Sequence, residues 1–244
     1  LNAILDPTIP ANGGFYRAIE VKAPLGSIVN ALPPAPVGWR TQTCQRIADV
    51  IFGALAPVLP ERVPAAGNGA NSAWVFSGVN PKTGRYYVYL ETLGGGAGAT
   101  AQADGLDGVQ VHITNTSNLP VECLEMEYPL LVEEYALVDG SGGPGKFCGG
   151  LGIRRTIQVL DHEAQFLGTL ERAEIAPWGL HGGGPGGCAA LVLNPGNATA
   201  QRLPSKVWGY PLKAGDRGQI ITPGAGGWGP PAERDSDASR RDLA

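Results

Sequence analysis

Between residues 135 and 152 the chain reads YALVDGSGGPGKFCGGLG, a short apolar run that breaks into seven glycines within thirteen residues. The same grammar returns in RAEIAPWGLHGGGPGG and in ITPGAGGWGPP. Glycine lacks a Cβ and reaches positive φ freely. Clusters of this density therefore mean one of two things: a backbone packed too closely for side chains, or a backbone that a ligand must approach. They also exclude long helices from these stretches, because each glycine weakens helix propagation.

The 37 glycines and 21 prolines among 244 residues would suggest low complexity if they were spread evenly. Instead they punctuate strands. Runs of β-branched, aromatic or alternating residues at 19–21, 73–76, 86–90, 110–114, 133–138, 154–160 and 189–193 predict β-structure. One helix is predicted near 42–56. Thr41 can cap it, Cys44, Ile47, Ala48, Ile51 and Leu55 recur at helical spacing, and Pro57 stops it. Its apolar stripe is expected to cover one face of a sheet. A second, mixed-charge helix over 235–243 is expected to behave as a solvated tail. The fold class is α+β: β-rich and loop-rich, with glycine-rich turns and one well-defined amphipathic helix.

Gly140, Gly145 and Lys146 satisfy G-x-x-x-x-G-K after an apolar run, as in a phosphate loop. That reading needs a hydroxyl residue next and a helix whose first amides hold the phosphate. Phe147 and Cys148 follow instead, and then Gly149, Gly150 and Gly152, so a tight multi-turn structural loop is expected. Gly96, Gly98 and Ala101 form a loose dinucleotide fingerprint, but turn residues stand where its helix should begin.

Eighteen basic and 22 acidic residues give a net charge of −4, with no basic cluster beyond pairs such as Arg154–Arg155, which argues against a nucleic-acid footprint. No run has the length of a membrane span, and no signal peptide is evident. Cys44, Cys123, Cys148 and Cys188 are widely spaced and predict buried, reduced thiols in a cytosolic protein. His112 alternates with Val109, Val111 and Ile113, so a surface or edge position is expected. His162 sits in a turn-like DHE, and His181 in the ligand-friendly loop PWGLHGG. Three histidines so spaced do not make a metal centre within this chain. Glu122 and Glu125 are candidates for acid–base work or cation binding, with a solvated acidic surface as the alternative. Gly140-Ser141-Gly142 places a serine in a turn, but no Ser-His-Asp assembly surrounds it.

Seven blocks in order carry a resemblance: DPTIPANGGFYRAIEVKAPLGSIVNALPPAPV, TQTCQRIADVIFGAL, GGGAGATAQADGLDG, PVECLEMEYP, DGSGGPGKFCGGLG, ERAEIAPWGLHGGGPGG and ITPGAGGWGPPAERD. Together they resemble the hydantoinase B/oxoprolinase family over residues 6–235. The resemblance implies part of a large cytoplasmic enzyme that opens 5-oxoproline, hydantoin or other lactam rings through a phosphorylated intermediate. The family also includes ATP-dependent ketone carboxylases, and a non-catalytic structural or interface fragment is a further alternative. Implied partners are a hydantoinase A-like ATPase subunit or domain, which carries ATP and Mg, and the N-terminal portion of the same subunit, which carries a divalent metal; nucleic acid and membrane are not implied. Residues 1–244 then correspond to the C-terminal portion, with the metal-site portion absent and the chain alone inactive. No metal ligand and no catalytic residue is assigned here. Substrate binding is expected at Lys146, Arg154, Arg172, Gly142, Gly143 and His181, with loop packing at a subunit interface as the alternative. Of these the three cations would face a phosphorylated or carboxylated substrate. His181 stands where the family pattern leads one to expect an apolar or aromatic residue.

Overall fold

A computed structural model of the chain describes residues 2–242. Its framework is a pair of antiparallel sheets. Strands β1 (Ser72–Val79), β2 (Tyr86–Leu93), β5 (Ala164–Thr169) and β8 (Lys206–Leu212) form one sheet in the order β2-β1-β5-β8. Strands β3 (Leu130–Leu137), β4 (Ile153–Val159), β6 (Ala190–Leu193), β7 (Gln201–Leu203) and β9 (Arg217–Ile221) form the other in the order β3-β4-β9-β6-β7. Helices are few: α1 (Asn2–Leu5), α2 (Gly13–Tyr16), α3 (Arg40–Leu55), α4 (Val121–Glu127) and α5 (Ser236–Arg241). The fold is therefore α+β and β-rich, as the residue patterns predict.

The sheets share one apolar core. Trp74, Phe76, Tyr89 and Phe166 from the first meet Ile157, Leu191 and Ile220 from the second, all buried. Trp74 and Phe76 stack edge to face at 5.2 Å, the arrangement that the ring quadrupoles favour. Gly218 of β9 supplies the flat spot they need, since a Cβ there would lie 3.0 Å from the Phe76 ring. One ion pair crosses this core. Arg155 Nη1 on β4 lies 3.1 Å from Glu91 Oε1 on β2, both side chains sealed from solvent, and the Trp74 indole donates to Glu91 Oε2 at 3.2 Å. Strand alternation sends Arg155 inward and leaves its neighbour Arg154 partly exposed.

Two expected strands do not form. Residues 19–21 run without a strand partner, and residues 110–114 form a turn-containing loop whose only ladder contact is the Val109–Gly95 bridge at its edge. Strands β5, β7, β8 and β9 were not anticipated. The three exposed cysteines, Cys44, Cys123 and Cys188, together with the half-buried Cys148, are free, so the expectation of buried thiols is corrected. Leu243, the end of the second expected helix, lies outside the described residues; α5 is capped by Asp235, whose carboxylate accepts from Asp237 N and Ala238 N.

Helix α3 corrects a second expectation. Trp39, in a left-handed conformation, stands at its N-cap without a capping side chain, and Thr41 lies inside the first turn. The buried residues of the helix are polar: Gln42, Gln45 and Asp49. Ile47 and Val50 face solvent, the latter 70% exposed. Its polar stripe thus points into the protein, and a large part of its apolar stripe points out of it.

This polar stripe is received by Asn71, by loop 110–114 and by Arg172, beside the glycine-rich part of the chain. Six stretches near residues 63–71, 94–100, 103–109, 141–152, 176–187 and 222–229 run side by side and exchange single backbone hydrogen bonds, among them Ala66 N to Trp178 O, Gly226 N to Ala66 O, Gly143 N to Ala225 O, Gly227 N to Gly184 O and Gly150 N to Ala97 O. Backbone lies on backbone. A Cβ on Gly143 would stand 2.3 Å from Gly184 O, and one on Gly183 2.2 Å from Gly227 O. Of the two meanings of clustered glycine, the close-packed one holds for these positions.

Candidate functional site

Asp49 occupies the middle of the inward face of α3 and gathers three basic groups. Arg172 Nη2 lies 2.7 Å from its Oδ2, Arg46 Nη2 2.8 Å from the same oxygen, and His112 Nε2 2.9 Å from Oδ1. Burial alone would push the Asp49 carboxyl up; the His112 hydrogen bond and the Arg46 and Arg172 charges outweigh it and hold the group below the ordinary carboxylate range. Gly69, at φ +50°, makes the room, because a Cβ there would clash with both Arg46 and Asp49.

Side chains on the same face of α3 fix the neighbouring loops. Gln42 exchanges a pair of hydrogen bonds with the Asn71 backbone, its Nε2 donating to Asn71 O and its Oε1 accepting from Asn71 N, each at 2.9 Å. Gln45 Nε2 donates to Val111 O and Thr114 Oγ1. Loop 110–119 is therefore clamped to the helix at Val111, His112 and Thr114. His112, expected at a surface or edge, has a side chain only 8% exposed, because its partner carboxylate is buried.

The backbone is strained at this cluster. Among the described residues five non-glycine residues have left-handed φ, and three of them surround α3: Trp39 at 58°, His112 at 58° and Arg172 at 60°. Such conformations cost on the order of 1–3 kcal/mol each and persist where surrounding contacts over-determine them, which makes them pointers to function. Hydrogen-bonding capacity is also left over. Arg172 Nε, Arg46 Nε and Gln45 Oε1 are buried without a hydrogen-bond partner. Two guanidinium groups against one carboxylate leave a positive surplus, so the cluster can orient His112 and present unmet N–H groups to an anion.

The residues singled out in the sequence are divided by the fold. Gly142, Gly143, Lys146 and His181 come together around 225–229: Gly143 packs on Gly227, Lys146 N donates to Gly229 O, and the His181 ring lies 5.1 Å from Trp228. Arg172 belongs to the Asp49 cluster instead, and Arg154 on β4 pairs with Glu134 at 2.7 Å. All three cations carry an acidic neighbour, Lys146 having Glu233 at 3.8 Å. Glu122 and Glu125 lie on α4 in solvent, and Glu125 accepts from Val132 N. The loop at Gly140 to Lys146 does not fit a nucleotide phosphate: no helix follows it, and a Cβ on Gly142, Gly143 or Gly145 would stand within 2.5 Å of backbone. Nor, among the described residues, does any group of three or more His, Cys, Asp or Glu fit a metal ion.

Asp49 and Arg46 escaped the sequence reading, which also set His112 at a surface or edge. A signal existed: Gln42, Gln45 and Asp49 fall at i, i+3 and i+7, a polar stripe at helical spacing beside the apolar one.

The family model for Hydantoinase B/oxoprolinase matches residues 1–231. The chain is 42% identical over 245 residues to an uncharacterised protein of Methanocaldococcus jannaschii, covering all of this chain and 42% of that one. It is 35% identical to the B-type subunit of a putative D-/L-hydantoinase from a Pseudomonas strain, covering 96% of this chain and 40% of the relative. The crystal structure of the ATP-dependent caprolactamase from Pseudomonas jessenii superposes with a TM-score of 0.85 at 25% identity, over 99% of this chain and 43% of that one. The chain thus spans less than half the length of the relatives it matches. No helix among the described residues is long and apolar enough to cross a membrane.

Proposed function

Because the chain belongs to the hydantoinase B/oxoprolinase family, we propose that it forms the C-terminal portion of a B-type subunit in an ATP-dependent enzyme that opens cyclic amides. The observation that carries this reading is the similarity, end to end, to proteins described as a hydantoinase subunit and a caprolactamase. ATP supplies activation of the amide oxygen as a phosphate ester, which turns a poor electrophile into one with a good leaving group. In this reading the nucleotide is held by an A-type ATPase subunit and the metal by the rest of the B-type subunit. That remaining polypeptide is also what would cover Ile47 and Val50 on the outward face of α3, an apolar surface that its own chain leaves bare.

Within the assembly this chain holds and orients. The surplus charge of Arg46 and Arg172 draws an anionic substrate group toward the strained loop, while Asp49 fixes His112. Lys146, on the exposed rim beside Glu233, is the second place where a phosphorylated or carboxylated group is met. The test is an assay of the native assembly on a panel of cyclic amides. Ring-opened product and ADP are expected to appear together; ring opening without nucleotide, or ATP turnover indifferent to every amide, would overturn the reading.

A further inference from the structure

Arg234 spends every donor it has. Its Nε lies 2.7 Å from Asp242 Oδ2 and its Nη2 2.9 Å from Asp242 Oδ1. Nη1 and Nη2 reach Asp104 Oδ1 and Oδ2 at 2.8 and 3.0 Å, and Nη1 also donates to Lys146 O at 3.1 Å. A guanidinium carries five N–H groups, so none is left for a ligand. The side chain is 9% exposed, enclosed by Asp104 from one part of the chain and by Asp242 from the end of α5. The carbonyl it holds belongs to a tripeptide whose backbone is pinned throughout. Lys146 N donates to Gly229 O at 3.1 Å, Phe147 exchanges two bonds with Trp228 at 3.0 and 2.8 Å, Cys148 N donates to Asp104 Oδ1 at 2.7 Å, and Cys148 O accepts from Gly105 N at 2.8 Å. With Lys146 O on Arg234, every backbone polar group of residues 146–148 is engaged. Gly229, at φ +74°, lets the lysine side chain pass, since a Cβ there would stand 3.0 Å from Lys146 Cβ. The Lys146 side chain itself stays 43% exposed, its Nζ 3.8 Å from Glu233 on the turn Pro231–Glu233 that ends at Arg234.

We propose that Arg234 is the positioning residue of Lys146: it fixes where the ammonium meets an anionic substrate group without touching that group itself. The chain around Lys146 needs such a device. Gly142, Gly143 and Gly145 precede it and Gly149, Gly150 and Gly152 follow, so the local sequence offers no stiffness of its own. A misplacement of about 1 Å in a contact to the reacting substrate can cost about 100-fold in rate. The planar fork suits the task, because it grips two carboxylates side-on and still has an N–H for the carbonyl, which a lysine ammonium at 234 could not do. A clamp that served only to hold α5 would need the carboxylates and not the Lys146 carbonyl. The inference deepens the ring-opening reading and rests on it for the identity of the anion that Lys146 meets.

The experiment compares wild type, Arg234→Gln, Lys146→Ala and the double variant in the complete enzyme, with two readouts. The first is kcat/KM for ATP-dependent ring opening. Arg234→Gln should lose tenfold or more, yet cost less than twofold when Lys146 is already alanine, because a residue that acts through Lys146 has nothing left to position. The second needs no activity: acetylation by sulfosuccinimidyl acetate, followed by mass spectrometry, with the exposed Lys82 and Lys213 as internal references. Arg234→Gln should raise the relative labelling of Lys146 at least threefold, as the ammonium leaves Glu233, and leave the two references unchanged. Arg234→Lys, which keeps the charge and loses the fork, takes its place if Arg234→Gln does not assemble, with the same rise expected. Unchanged labelling of Lys146, a full tenfold loss in the alanine background, or an undiminished Lys146→Ala enzyme would each overturn the proposal. A wild type that opens no ring with ATP would overturn the enzymatic reading instead, and the labelling would still decide whether Arg234 holds Lys146 in place.

Discussion

Replacing Asp49 by Asn removes one negative charge and almost no volume from the most crowded electrostatic site in the chain. The Arg172 side chain is 5% exposed, and Asp49 is the carboxylate that it meets, at 2.7 Å. Breaking a buried pair from one side leaves an uncompensated ion, which costs about 3–5 kcal/mol. At roughly 2–4 °C per kcal/mol for a chain of this size, the thermal midpoint should fall by about 6–20 °C. Chemical unfolding at pH 7 of the wild type, Asp49→Asn, Arg172→Leu and the double variant forms a cycle. The double variant should be more stable than the sum of the two losses predicts by about 1–3 kcal/mol, since neither ion is then left alone. The pH dependence gives an independent check. The native Asp49 carboxyl titrates below its unfolded value near 4, so its contribution is complete above about pH 4 and is lost as the pH falls through the native value. Asp49→Asn should flatten that acid limb. A single-variant loss under about 1 kcal/mol, or strict additivity in the cycle, would refute the argument that this carboxylate holds the cluster together.

Gly143→Ala should cost about 4 kcal/mol or more, because backbone oxygen and nitrogen leave its Cβ no space, whereas Gly140→Ala, at φ +68° but in open space, should cost only about 1–2 kcal/mol; urea unfolding separates them. Val50→Glu should change the chain's own stability by less than about 0.5 kcal/mol while reducing its co-purification with the rest of the enzyme; intact assembly would count against a covered α3 face. Burial holds the His162 pKa below its ordinary value, so the unfolded chain takes up this proton at a higher pH than the fold does, and stability should decline as the pH falls below about 6.5; His162→Gln, followed by melting between pH 5 and 8, should remove this slope. Lys146→Ala should slow turnover of the complete enzyme and leave its melting and assembly unchanged, and a parallel loss of assembly would assign Lys146 to packing instead.

The legible parts of the fold are those whose physics is local. Strand β2 alternates cleanly, with Tyr87, Tyr89, Glu91 and Leu93 inward, and its period of two is visible in the sequence. Strand β8 was hidden by Gly209 and Pro211, residues that an edge strand tolerates and a central one does not. Loop 110–114 imitates a strand because its alternate residues turn opposite ways, yet what holds them is a helix more than sixty residues away. The spacing of α3 was readable, but not which stripe faced inward. That choice is made by Asn71, Val111, His112 and Arg172, all distant in sequence. For the same reason the site was half visible: Arg172 stood out as a charge in a glycine-rich setting, whereas Asp49 and His112 become a pair only once the chain has folded.

The glycine-rich layer has a kinetic consequence. Its six stretches are drawn from residues 63 to 229, so most hydrogen bonds between them close long loops, and each glycine gives up more backbone freedom on ordering than any other residue. Short-range bonds such as Gly149 N to Gly143 O and Gly183 N to Leu180 O are the minority in it. The two sheets, with antiparallel neighbours such as β1 and β2, can form first and bring the stretches into reach. The glycine layer then closes last, in the slow regime of high contact order. Residues 222–229, the last of the six stretches to be made, complete it, because Gly226 N, Gly227 N and Trp228 N donate to the carbonyls of Ala66, Gly184 and Phe147.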